Sequence, residues 1–289
     1  MEILWIFLGI IGMLMIWNII RFLLFKKDFV PVLMYHRIDD SVTPSSLRYV
    51  KHKGKILDLD EMKTTLNQFD RQLEYLAKRG YTAVLMNDYL NIKAKKPVAL
   101  TFDDGYLDNY TNAFPLLKKH NICATLYLCT DKITDLPGTE YLSWPDIKMM
   151  QSEGIGFGSH TKSHLWLNEE ASKTQIEDEI VSSKLLIENK LNQKVNSFCY
   201  PAGVYTEEAI EVVGKHYDNA VITAYGSEVP LHNANPFLIE REAMSRSDSM
   251  LMFKLKLWGV HRFIRKSWLF KVVKKLRHGK AITEDSRKH

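Results

Sequence analysis

Apolar and polar positions between residues 30 and 244 follow two alternating rhythms. Short apolar runs are separated by longer stretches in which apolar residues recur every three to four positions. The runs PVLMYHRI (31–38), YTAVLM (81–86), PVALTF (97–102), ICATLYLCT (122–130), IGFGSH (155–160), VNSFCYP (195–201), NAVITA (219–224) and FLIEREAM (237–244) read as strands. Residues 60–80 read as a helix that places Leu66, Phe69, Leu73 and Leu76 on one face and stops at Gly80. Residues 110–120, 143–154, 169–191 and 206–217 read as further helices, with Ser143 as an N-cap and Pro145 in the first turn after it. A shorter helix is expected over 88–95, and 39–58 has no period and reads as a long loop. Strands alternating with helices imply a parallel sheet. Seven or eight strands in about 220 residues suit a closed or nearly closed barrel better than an open sheet, with its site at the strands' C-terminal ends.

The chain's two ends break this rhythm. Residues 3–20 are apolar except for Asn18, and with Arg21 and the apolar residues 22–25 the run reaches about 23 residues before Lys26 and Lys27. A spanning helix needs roughly 20. Glu2 precedes the run, and no small-residue cleavage site follows it, so a retained single-pass anchor over 1–27 is expected rather than a cleaved signal. The formal net charge is +5, yet Leu251 to Lys280 carry ten Lys and Arg and no acid. The remainder is then about −5, so the basicity belongs to the tail, and nucleic acid is not an expected partner. Within 249–289, Leu255, Trp258, Phe263, Trp268, Phe270, Val273 and Leu276 are interleaved with these cations, which suits an amphipathic helix on an anionic membrane surface. The central domain is then 28–248. Positive residues just after the anchor favour a cytoplasmic domain.

The three cysteines, Cys123, Cys129 and Cys199, are too few and of the wrong parity for a disulfide framework and read as buried thiols. Chemistry gathers instead at expected strand ends. Asp103 and Asp104 end the third strand, His160 and His164 follow the fifth, and Cys199 to Gly203 end the sixth. Tyr35 and His36 end the first, and Arg241 ends the last. Thr161 follows the first histidine where a helical zincin motif needs Glu, so that reading fails. Two imidazoles and one carboxylate make a three-ligand divalent metal site with open positions. One aspartate could bind the metal while the other stays ionised as a general base.

At these residues the chain resembles the NodB-type polysaccharide deacetylases, the carbohydrate esterase family 4. Thr-Phe-Asp-Asp-Gly (101–105) and Ser-His-Thr-Lys-Ser-His (159–164) match the family's hallmarks, and the resemblance spans about Val30 to Met244. It implies an α/β fold, a distorted (β/α)7 barrel. It also implies that Asp103 is the catalytic base and that Asp104, His160 and His164 hold the metal, zinc being the expected one. The family's third motif, Arg-x-Pro-x-Gly, reads Cys199-Tyr200-Pro201-Ala202-Gly203, so its arginine is missing. This form, with Met34 to Arg37 on the first strand and an arginine on the last, is more similar to the branch that deacetylates poly-β-1,6-N-acetylglucosamine. Arg241 is the expected replacement that orients Asp103. The family's late Leu-x-His has no counterpart after Arg241, and His232 precedes the last strand, so His36 is the expected general acid. Tyr35, Tyr200, Pro201 and Gly203 are the expected substrate contacts, with the Tyr200 N–H on the oxyanion.

The implied reaction is metal-assisted hydrolysis of N-acetyl groups on a surface or biofilm polysaccharide. A lipid-linked amino sugar is the alternative substrate if the domain faces the cytoplasm, whereas the family favours the outside. A glycan-binding module without activity and a non-haem iron oxygenase are the competing classes. The paired aspartates count against the first, because binding alone needs no free base.

Overall fold

The computed structural model describes residues 17, 19–25, 29–44, 48–52, 55–223 and 235–267. Most of the expected anchor, the tail beyond 267 and His232 lie outside these residues. No helix among the described residues is long and apolar enough to cross a membrane. They divide into two compact units, one running from Val30 to Phe253 and one formed by residues from the two ends, 17–29 and 254–267.

The strands of the larger unit are Val32–Tyr35 (β1), Thr82–Ala83 (β2), Pro97–Phe102 (β3), Thr125–Leu128 (β4), Gly156–Ser159 (β5), Ser197–Cys199 (β6), Asn219–Thr223 (β7) and Ile239–Ala243 (β8). Every pairing among them is parallel, and the order β1-β8-β7-β6-β5-β4-β3 closes where β3 pairs with β1, giving a seven-stranded barrel. β2 pairs only with the start of β3, through Thr82–Pro97 and Ala83–Val98. The helices are Leu66–Lys78 (α1), Phe114–His120 (α2), Trp144–Ser152 (α3), Lys173–Leu191 (α4), Glu207–His216 (α5), Met250–Leu257 (α6) and Val260–Arg265 (α7). Capping boxes at Thr65 with Gln68, Ser143 with Asp146, and Ser172 with Gln175 start α1, α3 and α4. Each satisfies two N–H groups that the helix itself leaves unpaired.

Register decides what faces the barrel axis. Val32 lies opposite Ala99 and Met34 opposite Thr101, while Leu33 lies opposite Leu100 and Tyr35 opposite Phe102. Val32, Ala99, Tyr127, Cys199 and Val221 pack together inside with Met86. The alternate residues Tyr35 and Phe102 pack outward against Phe69 of α1, with ring centroids 5.2 Å and 5.8 Å from it. Gly158 on β5 serves the interior, because a Cβ there would sit 2.5 Å from the Tyr127 ring. The Tyr127 hydroxyl meets Ser197 Oγ at 2.6 Å, and Ser197 donates to Asn219 Oδ1 at 2.7 Å. Ser197 has one hydroxyl proton, so Tyr127 donates to it.

Several expected elements differ, among them the helix expected over 60–80, which starts only at Leu66 because Lys63–Thr64 pair with Arg37–Ile38. The strand over 81–86 shrinks to Thr82–Ala83, and the helix over 88–95 is a tight 3-10 turn at Met86–Asn91. The reason is Met86, which leaves the sheet to plug the floor of the barrel, where it is fully buried. Thr125 Oγ1 accepts its N–H at 3.0 Å, and Asn219 donates to its carbonyl at 2.8 Å. The stretch 39–58 is also less irregular than its sequence suggests: Tyr49–His52 and Lys55–Asp58 form an antiparallel hairpin. Beside it, Arg37–Ile38 pair with Lys63–Thr64.

In the smaller unit, Phe22 and Phe263 meet edge to face at 5.2 Å, and Phe25 lies 4.8 Å from Phe29. Gly259 adopts φ +76°, and a Cβ there would lie 2.8 Å from Phe25.

Met86 fills the floor of the barrel, and the chemical side chains gather at the strands' opposite, C-terminal ends. Met86→Ala should lower unfolding free energy by roughly 2–5 kcal/mol, read from chemical denaturation, while leaving the affinity for divalent metal unchanged.

Candidate active site

At the open end, β3 delivers its two carboxylates to different places. The Asp103 N–H donates to the Tyr35 carbonyl at 3.0 Å, which carries the β1–β3 ladder one residue past the strand. Asp104 and Gly105 then both take left-handed conformations, with φ 73° and 74°. Asp is among the few side-chain-bearing residues that tolerate this region. The turn therefore begins at Asp104 itself, and it sends the two side chains to separate neighbours.

Asp103 is buried, and both its oxygens are held by one guanidinium. Arg241 Nη1 donates to Oδ1 and Nη2 to Oδ2, each at 2.6 Å. Arg241 is not at a strand end. It sits in the middle of β8, points inward and is fully buried. Its Nη1 also donates to Thr101 Oγ1 at 3.0 Å, its Nη2 lies 3.1 Å from Cys199 Sγ, and the guanidinium lies over the Tyr127 ring. Burial by itself would raise the Asp103 carboxyl, but the charge and hydrogen bonds of Arg241 outweigh it and hold Asp103 well below the usual carboxylate range. His36 Nε2 lies 4.0 Å from Asp103 Oδ2, in line of approach but beyond hydrogen-bonding reach.

Asp104 faces a second group. Its Oδ1 lies 3.4 Å from His164 Nε2, 3.8 Å from His160 Nε2, 3.9 Å from Cys129 Sγ and 3.9 Å from Lys132 Nζ. One ligand atom each from Asp104, Cys129, His160 and His164 fits within 4.8 Å of the others. These separations are long for hydrogen bonds and suit the edges of a coordination shell. His160 Nδ1 lies 2.8 Å from the Cys199 carbonyl. A carbonyl only accepts, so Nδ1 carries the proton and Nε2 presents its lone pair to Asp104, the arrangement of a metal-binding histidine. Burial pushes both imidazoles down, His164 to about 4 with the neighbouring His160 adding to the effect, so both are neutral at neutral pH, the form that can ligate a metal. The donor set of carboxylate and neutral imidazole fits a divalent cation.

The histidine loop is strained and braced. Thr161 and His164 have φ 65° and 67°. Glu179 of α4 holds them by accepting from the Lys162 N–H at 2.9 Å, the Ser163 N–H at 2.8 Å and the Ser163 hydroxyl at 2.6 Å. Asp131 N–H also donates to the Lys162 carbonyl at 2.9 Å, which joins this loop to the one after β4.

Not every expected contact reaches the mouth. Tyr35 turns outward, its ring stacked on Phe102 and its hydroxyl donating to Gln72 at 2.8 Å, because the strand alternation that points His36 inward points Tyr35 away. The Tyr200 ring likewise packs outward against Phe198 and Tyr205. Its N–H donates to the Val221 carbonyl at 3.2 Å, so it is committed to the β6–β7 ladder and not to an oxyanion. Pro201 is buried in a tight turn whose carbonyl accepts the Val204 N–H at 3.0 Å. Gly203 has φ +68° and no room for a Cβ, which would lie 2.5 Å from Thr223 Oγ1. These residues shape the turn that holds Cys199. Residues missed in the sequence are Cys129 and Lys132, just past β4, and Glu179 on a helix. Position after a strand was a usable signal for the first two; nothing local marks Glu179.

The family described as Polysaccharide deacetylase matches residues 91–218, a span that holds Asp103, Asp104, His160 and His164 but ends before Arg241. The chain is 32% identical over 209 residues to YxkH of Bacillus subtilis (strain 168), itself assigned as a polysaccharide deacetylase, covering 70% of this chain and 67% of that one. It is 27% identical over 210 residues to poly-beta-1,6-N-acetyl-D-glucosamine N-deacetylase of Staphylococcus aureus (strain N315), covering 66% of this chain and 70% of that one. Among solved structures, Streptococcus pyogenes deacetylase PplD in complex with acetate superposes with a TM-score of 0.67 at 26% identity, covering 79% of this chain and 97% of that chain.

Glu179→Ala removes the carboxylate that accepts from the Lys162 and Ser163 N–H groups and from the Ser163 hydroxyl, so the loop loses all three bonds. Zinc affinity measured by chelator competition should fall roughly 10-fold or more, with the far-ultraviolet circular dichroism unchanged.

Proposed function

This chain belongs to the polysaccharide deacetylase family, and from that membership we propose that it hydrolyses the N-acetyl amides of N-acetylhexosamine units in a surface or biofilm polysaccharide of the poly-N-acetylglucosamine kind. The family's hydrolases act on N-acetyl amide bonds, so the reaction class follows from membership; the substrate and the residue roles are our reading. The observation that carries them is the separation of the two aspartates. Asp103 is paired to Arg241, and Asp104 is turned away into a cluster with His160 and His164.

In this reading Asp104, His160 and His164 hold a divalent cation, zinc by choice of ligands. When bound, the cation supplies Lewis acidity, which activates water and polarises the acetyl carbonyl. Asp103 accepts the proton of the attacking water at Oδ2, the oxygen that faces His36. Arg241 keeps that carboxylate ionised and fixed. His36, half-buried at the end of β1, donates a proton to the departing amine nitrogen. Water adds to the acyl carbon, the C–N bond breaks, and acetate and a free amino sugar leave. The Cys199 carbonyl acts through His160, by holding its ring in the ligand tautomer.

The missing arginine of the third motif is consistent with this arrangement. Cys199 is small, and Arg241 Nη2 lies against its sulfur. An arginine at 199 would compete for the same carboxylate, so the function has moved from β6 to β8 rather than been lost.

The poly-N-acetylglucosamine assignment is supported by the similarity to the staphylococcal enzyme. For location, we propose a membrane tether through the apolar run 3–20. A reporter fused after His289 reads which side the domain occupies.

Purified, zinc-loaded protein should release acetate from β-1,6-linked N-acetylglucosamine oligomers. Asp103→Asn should lower kcat by roughly 10²–10⁴-fold while retaining metal and glycan binding. Release of no acetate from any N-acetylhexosamine oligomer or lipid-linked amino sugar would overturn the reading; release from the lipid-linked sugar alone would reassign the substrate.

Arg241→Lys tests the positioning role through pH. Burial raises the Asp103 carboxyl and Arg241 lowers it. Weakening the pair should therefore move the acid limb of the kcat/KM profile to higher pH. An unmoved limb would show that Arg241 does not set the charge of Asp103.

A further inference from the structure

Cys129 closes the fourth side of the Asp104, His160 and His164 cluster. It follows β4, the neighbour of β3 and β5, so topology brings its side chain between the carboxylate and the histidine loop. The residue is fully buried, and its sulfur lies 3.9 Å from Asp104 Oδ1 and 3.4 Å from the His160 carbonyl. All four donor atoms lie within 4.8 Å of one another. From bond lengths of about 2.0–2.3 Å, the edges of a tetrahedral N, O and S site are roughly 3.3–3.6 Å long. The two imidazole nitrogens, 3.4 and 3.8 Å from Asp104 Oδ1, and the sulfur, 3.9 Å from it, lie within a few tenths of an ångström of that length.

We propose that Cys129 is a fourth protein ligand, a thiolate that joins Asp104, His160 and His164 in a shell that expands to five positions, so that one stays open to water, and that makes the site select thiophilic metals. The inference rests on the metal-dependent reading above. On binding, the Cys129 thiol gives its proton to solvent, and a sulfur lone pair forms the bond to the cation. A coordinated thiol is deprotonated outright by the ion's charge, which offsets the cost of a buried thiolate. Sulfur favours zinc or cobalt over magnesium and manganese, which prefer all-oxygen octahedra. Asp104, His160 and His164 alone would discriminate less between these ions.

The other buried thiol, Cys199, is engaged differently. Its sulfur lies 3.1 Å from Arg241 Nη2 and 3.7 Å from Asp103 Oδ2, so it belongs to the ion pair. Cys123 lies before β4, at the opposite end of that strand from Cys129.

The test is cobalt(II) loaded into the full chain and followed by absorption. A near-ultraviolet thiolate-to-cobalt charge-transfer band is expected, lost in Cys129→Ser and kept in Cys123→Ser. Zinc affinity of Cys129→Ser should fall about 10-fold or more, and its manganese affinity should change little. If cobalt binds with visible bands that His164→Ala removes, but the wild-type chain shows no thiolate band, Cys129 is not a ligand and the deacetylase reading stands. A thiolate band that follows Cys199→Ser instead also overturns the assignment. If cobalt does not bind at all, the metal-dependent reading fails together with this inference. The wild-type spectrum decides the matter even if a variant does not fold.

Discussion

A carboxylate inside a barrel of parallel strands survives only if a cation reaches it, and the pair of Asp103 with Arg241 is the constraint around which the open end is built. Taking either charge out of water alone costs several kcal/mol. The bidentate geometry, with the second contact of Arg241 to Thr101 and its position over Tyr127, leaves no guanidinium donor facing an apolar wall. The pair also carries a chemical cost. An arginine that keeps Asp103 charged also lowers its affinity for a proton, and it fixes the carboxylate with Oδ2 4.0 Å from His36 Nε2.

Around that pair, the barrel sorts the remaining chemistry by backbone shape. Left-handed conformations at Asp104 and Gly105 separate two adjacent carboxylates that would repel each other on one side. Left-handed conformations at Thr161 and His164 bring two imidazoles to the one that leaves, with Glu179 bracing the loop. Cys199 ties the two halves together: its carbonyl orients His160, and its sulfur touches Arg241 and faces Asp103. A residue in the third motif thus touches both the Asp103–Arg241 pair and His160.

The same backbone logic explains where expectation and structure part. Tyr35 and His36 are adjacent, so strand alternation must point them to opposite faces, and only His36 can reach the mouth. Tyr200 is excluded because its N–H completes a ladder with Val221. Met86 leaves its strand because the barrel floor needs a large apolar plug, which is a demand of the closed ring and not of local propensity.

Periodicity alone determined the alternation of strands and helices, and Ser143 marked the start of one helix, because those signals are local; the helices expected from 60 and 169 begin only at Leu66 and Lys173, after the caps Thr65 and Ser172. The short motifs at 101–105 and 159–164 marked the candidate site for the same reason: each places its residues within a short stretch of chain. The partner of Asp103 was visible only as a candidate, since nothing within reach along the chain links residue 103 to residue 241. Tertiary structure decided that pairing, the entry of Cys129 into the histidine cluster and the bracing by Glu179. Each depends on which strands become neighbours when β3 closes on β1, and ring closure is a property of the whole sheet that no segment encodes alone.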